Sequence, residues 1–199
     1  CLLLIATAMM MVGCGKSTGR TLTSATGSIY ECLVVMNDDA LTQEQLSEIA
    51  KYSLVNEASG YSKPIANQYD LVEAVMAADM PCMPQMEPYF RLTHVKPALF
   101  DDMFKPTRNI LFVDIDPAKY TQLKAKVSND YWSTPQAICR IQSPSQEEFV
   151  GYWLEHGKEI REWFVNQEIT RQMKFYRAST NKEARAILQE QGYDMLLPE

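Results

Sequence analysis

The chain has no surplus of positive charge: 19 Lys+Arg stand against 25 Asp+Glu, a formal net charge of −6. Binding to nucleic acid through phosphate neutralisation needs the opposite balance, so that class is excluded as a default. No stretch of about 20 apolar residues occurs, so no membrane-spanning helix is expected. There is no C-x-x-C pair among the 5 cysteines, which removes the usual zinc and thioredoxin-like spacings. No Gly-x-Ser-x-Gly or comparable nucleophile pattern is present, and no internal repeat. What is present is ordinary for a globular protein: 46% hydrophobic and 22% charged residues over 199 positions, enough for one domain with a sizeable core.

The first residues differ from the rest. Residues 2–12 carry no charge and are almost wholly apolar. They are too short to span a bilayer and match the roughly 7–15-residue apolar core of an export signal. They run into Met11-Val12-Gly13-Cys14, a small residue directly before a cysteine. This resembles the lipobox of bacterial lipoproteins, in which the cysteine is acylated and becomes the first residue of the mature protein. The expected organisation is a signal segment over residues 1–13 that lacks its basic start, a lipidated Cys14 with a Gly/Ser/Thr tether over residues 14–28, and a folded domain over residues 29–199. A strand-like end at residues 193–197 gives the further expectation that the domain is truncated at its C-terminus.

A rival reading uses the same residues. Gly13-Cys14-Gly15-Lys16-Ser17-Thr18 looks like the end of a phosphate-binding loop, and Ile110-Leu111-Phe112-Val113-Asp114 like the strand whose aspartate holds Mg²⁺ in such proteins. The full motif asks for Gly where Met10 stands, and for a helix after Lys16. The glycines and threonines that follow are poor helix formers. Nucleotide binding through this segment is therefore the disfavoured alternative.

From residue 29 the pattern predicts an α+β domain: a mixed β-sheet with packed helices, including one long amphipathic helix in the C-terminal third. Residues 29–36 form a nearly continuous apolar run, expected as a buried strand. Thr42 and Gln45 have capping-box spacing before a helix of roughly ten residues. Residues 56–68 read as a loop and 69–78 as a second helix. Pro81, Pro84 and Pro88 make a stiff connector. Strands are expected at 89–95, 109–115, 121–129 and 137–142, with a short helix at 98–104. From Ser145 on, Phe149, Trp153, His156, Ile160, Trp163, Phe164, Ile169, Met173 and Tyr176 recur at three- and four-residue steps, one long helix with a break near Asn166. A last helix is expected over 181–191.

With these residues in view, the chain resembles an uncharacterised Bacteroidetes lipoprotein family, domain of unknown function 4837. The likeness rests on the lipobox and tether, the apolar first strand, Met83-Pro84-Gln85-Met86-Glu87-Pro88-Tyr89-Phe90, Thr107-Arg108-Asn109-Ile110, and Trp132 with Pro135-Gln136. It implies a lipid-anchored envelope protein facing away from the cytoplasm, at the outer rather than the inner membrane. It implies no activity.

Candidate chemistry is sparse. Asp114 and Asp116 are two apart on a strand, so their carboxylates share a face, with Arg108 and Asn109 preceding them. These four are the ligand-binding candidates, and the carboxylate pair could serve an envelope hydrolase or a divalent cation. The competing reading is a turn cap and a surface ion pair. Glu155, His156, Glu159 and Glu162 cluster on the long helix, without matching ligands on a second one. His156 is expected as a hydrogen-bonded core residue, and His94 has no metal-spaced partner. Cys32 and Cys139 are expected as small core residues; the disulfide status of Cys32, Cys82 and Cys139 is open. No catalytic residue, metal or cofactor is assigned. The expected partner is the lipid bilayer through acylated Cys14, with no nucleic acid and with any protein or small-molecule partner open.

Overall fold

The computed structural model describes residues 21–52 and 63–197. The expected signal segment, Cys14, the phosphate-loop-like residues and part of the expected loop at 56–68 lie outside the described residues.

The central element is a five-stranded mixed sheet. Its strands are β2 (Glu31–Val35), β3 (Arg91–Val95), β4 (Asn109–Ile115), β5 (Lys124–Asn129) and β7 (Ala137–Ser143), in the order β3-β2-β4-β7-β5. The first four in that order are parallel and β5 is antiparallel to β7. A second pairing joins β1 (Thr23–Ser24) to β6 (Ser133–Thr134). Among the described residues the helices are α1 (Gln43–Ile49), α2 (Gln68–Met76), α3 (Gln146–Ala178) and α4 (Lys182–Glu190).

The helix starts are set locally. Thr42 caps α1 and Asn67 caps α2, each through a reciprocal capping box, with Gln45 and Asp70 reaching back to the cap. Ser145 accepts from the Glu148 amide at the start of α3, where Glu147 and Glu148 also suit the helix dipole.

Packing divides the sheet into two unlike faces. Side chains of α1, α2 and α3 cover one face, closing a core of Cys32, Val34, Leu111, Val113, Cys139 and Ile141 from the strands with Leu71, Phe149, Trp153 and Phe164 from the helices. Trp153 is wholly buried and donates its indole N–H to the Leu71 carbonyl at 3.2 Å. The opposite face carries a smaller cluster of Leu33, Val35, Val95, Ile110 and Ile138. Among the described residues no helix covers it; Phe100 and Phe104, from the segment that begins with the 3-10 turn Pro97–Leu99, and Trp132 lie over it instead.

Three expectations need correction. The tether was expected to extend to Ser28, yet its second half is docked: the Ala25 amide donates to the Thr134 carbonyl, that of Thr26 to Pro106, and that of Arg108 to Thr26. Threonines favour extended backbone, and Gly27 supplies the positive φ of +101° at which the chain turns into β2. The long helix has no break near Asn166 but runs unbroken for 33 residues. Residues 193–197 form no strand; the chain folds back so that the Asn181 amide donates to the Leu197 carbonyl.

Candidate functional site

The four residues expected to share a site do not meet. Arg108 and Asn109 stand at the start of β4 and Asp114 and Asp116 at its end. At about 3.3 Å per residue the two pairs are roughly 20 Å apart.

At the start of β4, Asn109 and Arg108 belong to a buried ionic network that the local pattern did not reveal. Glu168 of α3 is fully buried, and its carboxylate accepts from Arg108 Nε at 2.9 Å and Arg108 Nη2 at 2.7 Å. The same carboxylate accepts from Asn109 Nδ2 at 2.6 Å and from Arg171 Nη1 at 2.9 Å. Asn109 completes the set by donating to the Glu31 carbonyl and accepting from Arg171. Arg171 also reaches the Arg108 carbonyl at 3.2 Å. Burial pushes the Arg171 guanidinium below its ordinary proton affinity, and Glu168 works against that. Every polar group that the helix brings into this corner has a partner, so the cluster ties α3 to the sheet and leaves little for a ligand to bind.

At the other end of β4, Asp114 accepts from the Tyr120 hydroxyl at 2.6 Å, and Gln142 donates to the same hydroxyl at 3.0 Å. The bond to Asp114, with some burial, raises the Tyr120 phenol above its usual range. Asp116 caps the turn after β4 by accepting from the Ala118 amide at 2.9 Å and pairs with Lys119 at 2.8 Å. The Lys119 ammonium, with that amide, holds Asp116 below the usual carboxylate range. One carboxylate is a turn cap with a surface ion pair and the other a strand-end hydrogen-bond acceptor. Among the described residues no group of three His, Cys, Asp or Glu is placed to hold a metal ion.

The other singled-out residues disperse. His156 is not in the core but on its rim, tilted against Tyr152 with ring centroids 4.6 Å apart and 3.0 Å from the exposed Glu159 carboxylate. His94 stacks on Tyr69 at 4.2 Å and lies 3.0 Å from the Met36 carbonyl. Cys32 and Cys139 are buried free thiols in the helix-covered core and Cys82 is an exposed free thiol. Burial pushes the Cys139 thiol up to about 12 and raises Cys32 further.

One arrangement had no motif to announce it. Arg140, midway along β7, lays its guanidinium over Phe112 at 4.2 Å and beside Trp132 at 5.2 Å, with Tyr131 at 5.9 Å. The signal in the sequence is a single arginine interrupting the apolar run of this strand.

These features define an α+β protein with a mixed, largely parallel sheet, three helices on one face and a thinly covered second face. The chain belongs to the family described as Domain of unknown function (DUF8532), whose model matches residues 49–177. This is a different family of unknown function from the one expected from the sequence motifs. No curated protein and no solved structure matches the chain.

Proposed function

We propose that this chain is a lipid-anchored cell-envelope protein whose α+β domain has a binding or structural role outside the cytoplasm. The observation that carries the reading is the small Gly13 directly before Cys14, at the end of the apolar residues 2–12. The resemblance to the Bacteroidetes lipoprotein family supports it and favours the outer membrane. No described helix is long and apolar enough to cross a membrane, so attachment in this reading is through acyl chains on Cys14, with two or more giving stable anchoring.

The docked backbone at residues 23–26 sharpens the geometry of the proposal. Seven Cα-to-Cα steps, with six intervening residues, lead from Cys14 to Thr21, the first described position. Fully extended, they reach about 25 Å, so the domain is held close to the bilayer surface. A hydrolase built on Asp114 and Asp116 is not favoured, because both carboxylates already serve Tyr120, Lys119 and the turn at Ala118.

The test is metabolic labelling with a fatty-acid probe, followed by fractionation. The wild-type chain takes up label and sediments with membranes, whereas Cys14→Ser does neither. Absence of label from the wild type, or equal label in the variant, overturns the reading.

A further inference from the structure

The open face of the sheet holds cations that have no ion-pair partner among the described residues. Phe112, Arg140 and Lys126 lie in register across β4, β7 and β5 and form one row on that face. Like charges directly opposite one another across two strands are destabilising, yet Arg140 and Lys126 occupy such a pair. Among the described residues neither has an ion pair or a hydrogen bond from its charged group to the protein. Asp114, on the same face of β4, stands opposite Gln142 rather than Arg140 and accepts from the Tyr120 hydroxyl. Lys124, also exposed, follows one row further along β5.

The Arg140 guanidinium is half-buried and lies over the Phe112 ring at 4.2 Å, with the Trp132 ring 5.2 Å away. Ring contacts take none of its N–H groups into hydrogen bonds with described residues, so these remain available to an oxyanion, which arginine receives in bidentate fashion. Edge lysines by themselves can serve to discourage strand pairing; an unpaired arginine beside one does not follow from that need. Two adjacent cations with no acid between them match a dianion better than a single carboxylate, and the exposed Tyr131 and the Trp132 ring offer apolar surface beside them.

We propose that Arg140 and Lys126 form a binding site for a phosphoryl group, carried by a phosphomonoester whose apolar part lies along Tyr131 and Trp132. The ester is either a soluble molecule or a lipid headgroup. The site does not involve Cys14, so it stands or falls separately from the anchoring reading.

The experiment is calorimetric titration of the full chain in nonionic detergent with phenyl phosphate, and with dihexanoyl phosphatidic acid as monomers. The wild type binds at least one of the two, and the tighter one identifies the source. Lys126→Gln, at an exposed edge where folding is undisturbed, weakens binding several-fold, and Arg140→Gln by about tenfold or more, as loss of a charge-assisted bidentate contact requires. Lys158→Gln, an exposed position on α3, leaves binding unchanged. Benzoate, with the same ring as phenyl phosphate and a single charge, binds more weakly than the phosphate ester. The proposal is overturned by no binding of either ester at millimolar concentration, by wild-type affinity in Lys126→Gln, by an equal loss in Lys158→Gln, or by benzoate binding as well as phenyl phosphate.

Discussion

Glu168 on α3 is wholly buried and holds Arg108, at the start of β4 and 60 residues away in sequence, through two hydrogen bonds of 2.9 and 2.7 Å. The same carboxylate holds Arg171, so one acid stands between two cations. Removing it leaves two poorly solvated guanidinium groups facing one another. Glu168→Ala is therefore expected to cost about 3–5 kcal/mol, the range for breaking a buried ion pair from one side. Arg108→Ala costs less, because Glu168 keeps Arg171 and Asn109. The double variant is less unstable than the sum of the two single losses, since the partners are coupled. Urea denaturation of the three variants measures this, and additive losses would contradict it.

Two glycines of α3 are expected to respond oppositely to alanine. Gly151 is exposed and a Cβ there meets nothing within 4 Å. Gly151→Ala gains the helix-propensity difference, up to about 1 kcal/mol. At Gly157 a Cβ would lie 3.0 Å from the Trp153 ring. That ring cannot easily yield, being fully buried and hydrogen-bonded to Leu71. Overpacking of about 1–3 kcal/mol outweighs the propensity gain, so Gly157→Ala lowers stability. Thermal melting of the two variants gives shifts of opposite sign.

Much of the fold was legible because local rules and packing agreed. The apolar run of β4 is bounded by Pro117, and its expected range of 109–115 is the observed one. Thr42 and Gln45 make the capping box that their spacing announced. The pattern fails where burial is bought by a distant partner. Periodicity carried the apolar stripe of α3 on to Ile169 and Met173, yet these are 45% and 38% exposed and the buried position is Glu168. A glutamate is a rational choice for solvent unless one knows that Arg108, Asn109 and Arg171 converge on it. Residues 98–104 were expected as a helix, but only a 3-10 turn at Pro97–Leu99 forms and a non-helical turn follows it, with Phe100 and Phe104 packed on the open face instead. The site candidates are dispersed for a topological reason: Arg108 and Asp114 are near in sequence but at opposite ends of one strand. Arg140 was legible only as an exception, a charge within an apolar strand.

The stability of α2 is expected to depend on pH through Asp70. Burial raises the Asp70 carboxyl, but Lys63 at 2.6 Å and the amides of Ala66 and Asn67 outweigh that and hold it below the usual carboxylate range. A carboxyl depressed in the folded state contributes stability that is present above its unfolded pKa, about 3.9, and is lost as pH falls through the folded value. The stabilisation is therefore complete at neutral pH and declines below about pH 4. Asp70→Asn keeps the size but loses the charge, so its melting temperature is lower than wild type at pH 7 and the gap narrows in acid. A gap that stays constant from pH 7 to pH 3 would contradict this assignment.

The thiols should separate by burial. Cys82 is exposed, whereas Cys32 and Cys139 are buried in the helix-covered core. A thiol reacts as its thiolate, and burial raises Cys139 to about 12 and Cys32 beyond it, so at neutral pH neither is ionised or reachable. In a chain carrying Cys1→Ser and Cys14→Ser, a thiol-specific chromogenic reagent should modify one cysteine rapidly and two more only on unfolding. Cys82→Ser in that background should abolish the rapid phase without changing the melting temperature, because its side chain is not part of the core. Cys139→Ser should lower it, since a hydroxyl would replace a thiol that lies among apolar side chains and needs no hydrogen-bond partner. Rapid modification of two or three cysteines in the folded chain would show that the core between β7 and α3 opens without global unfolding.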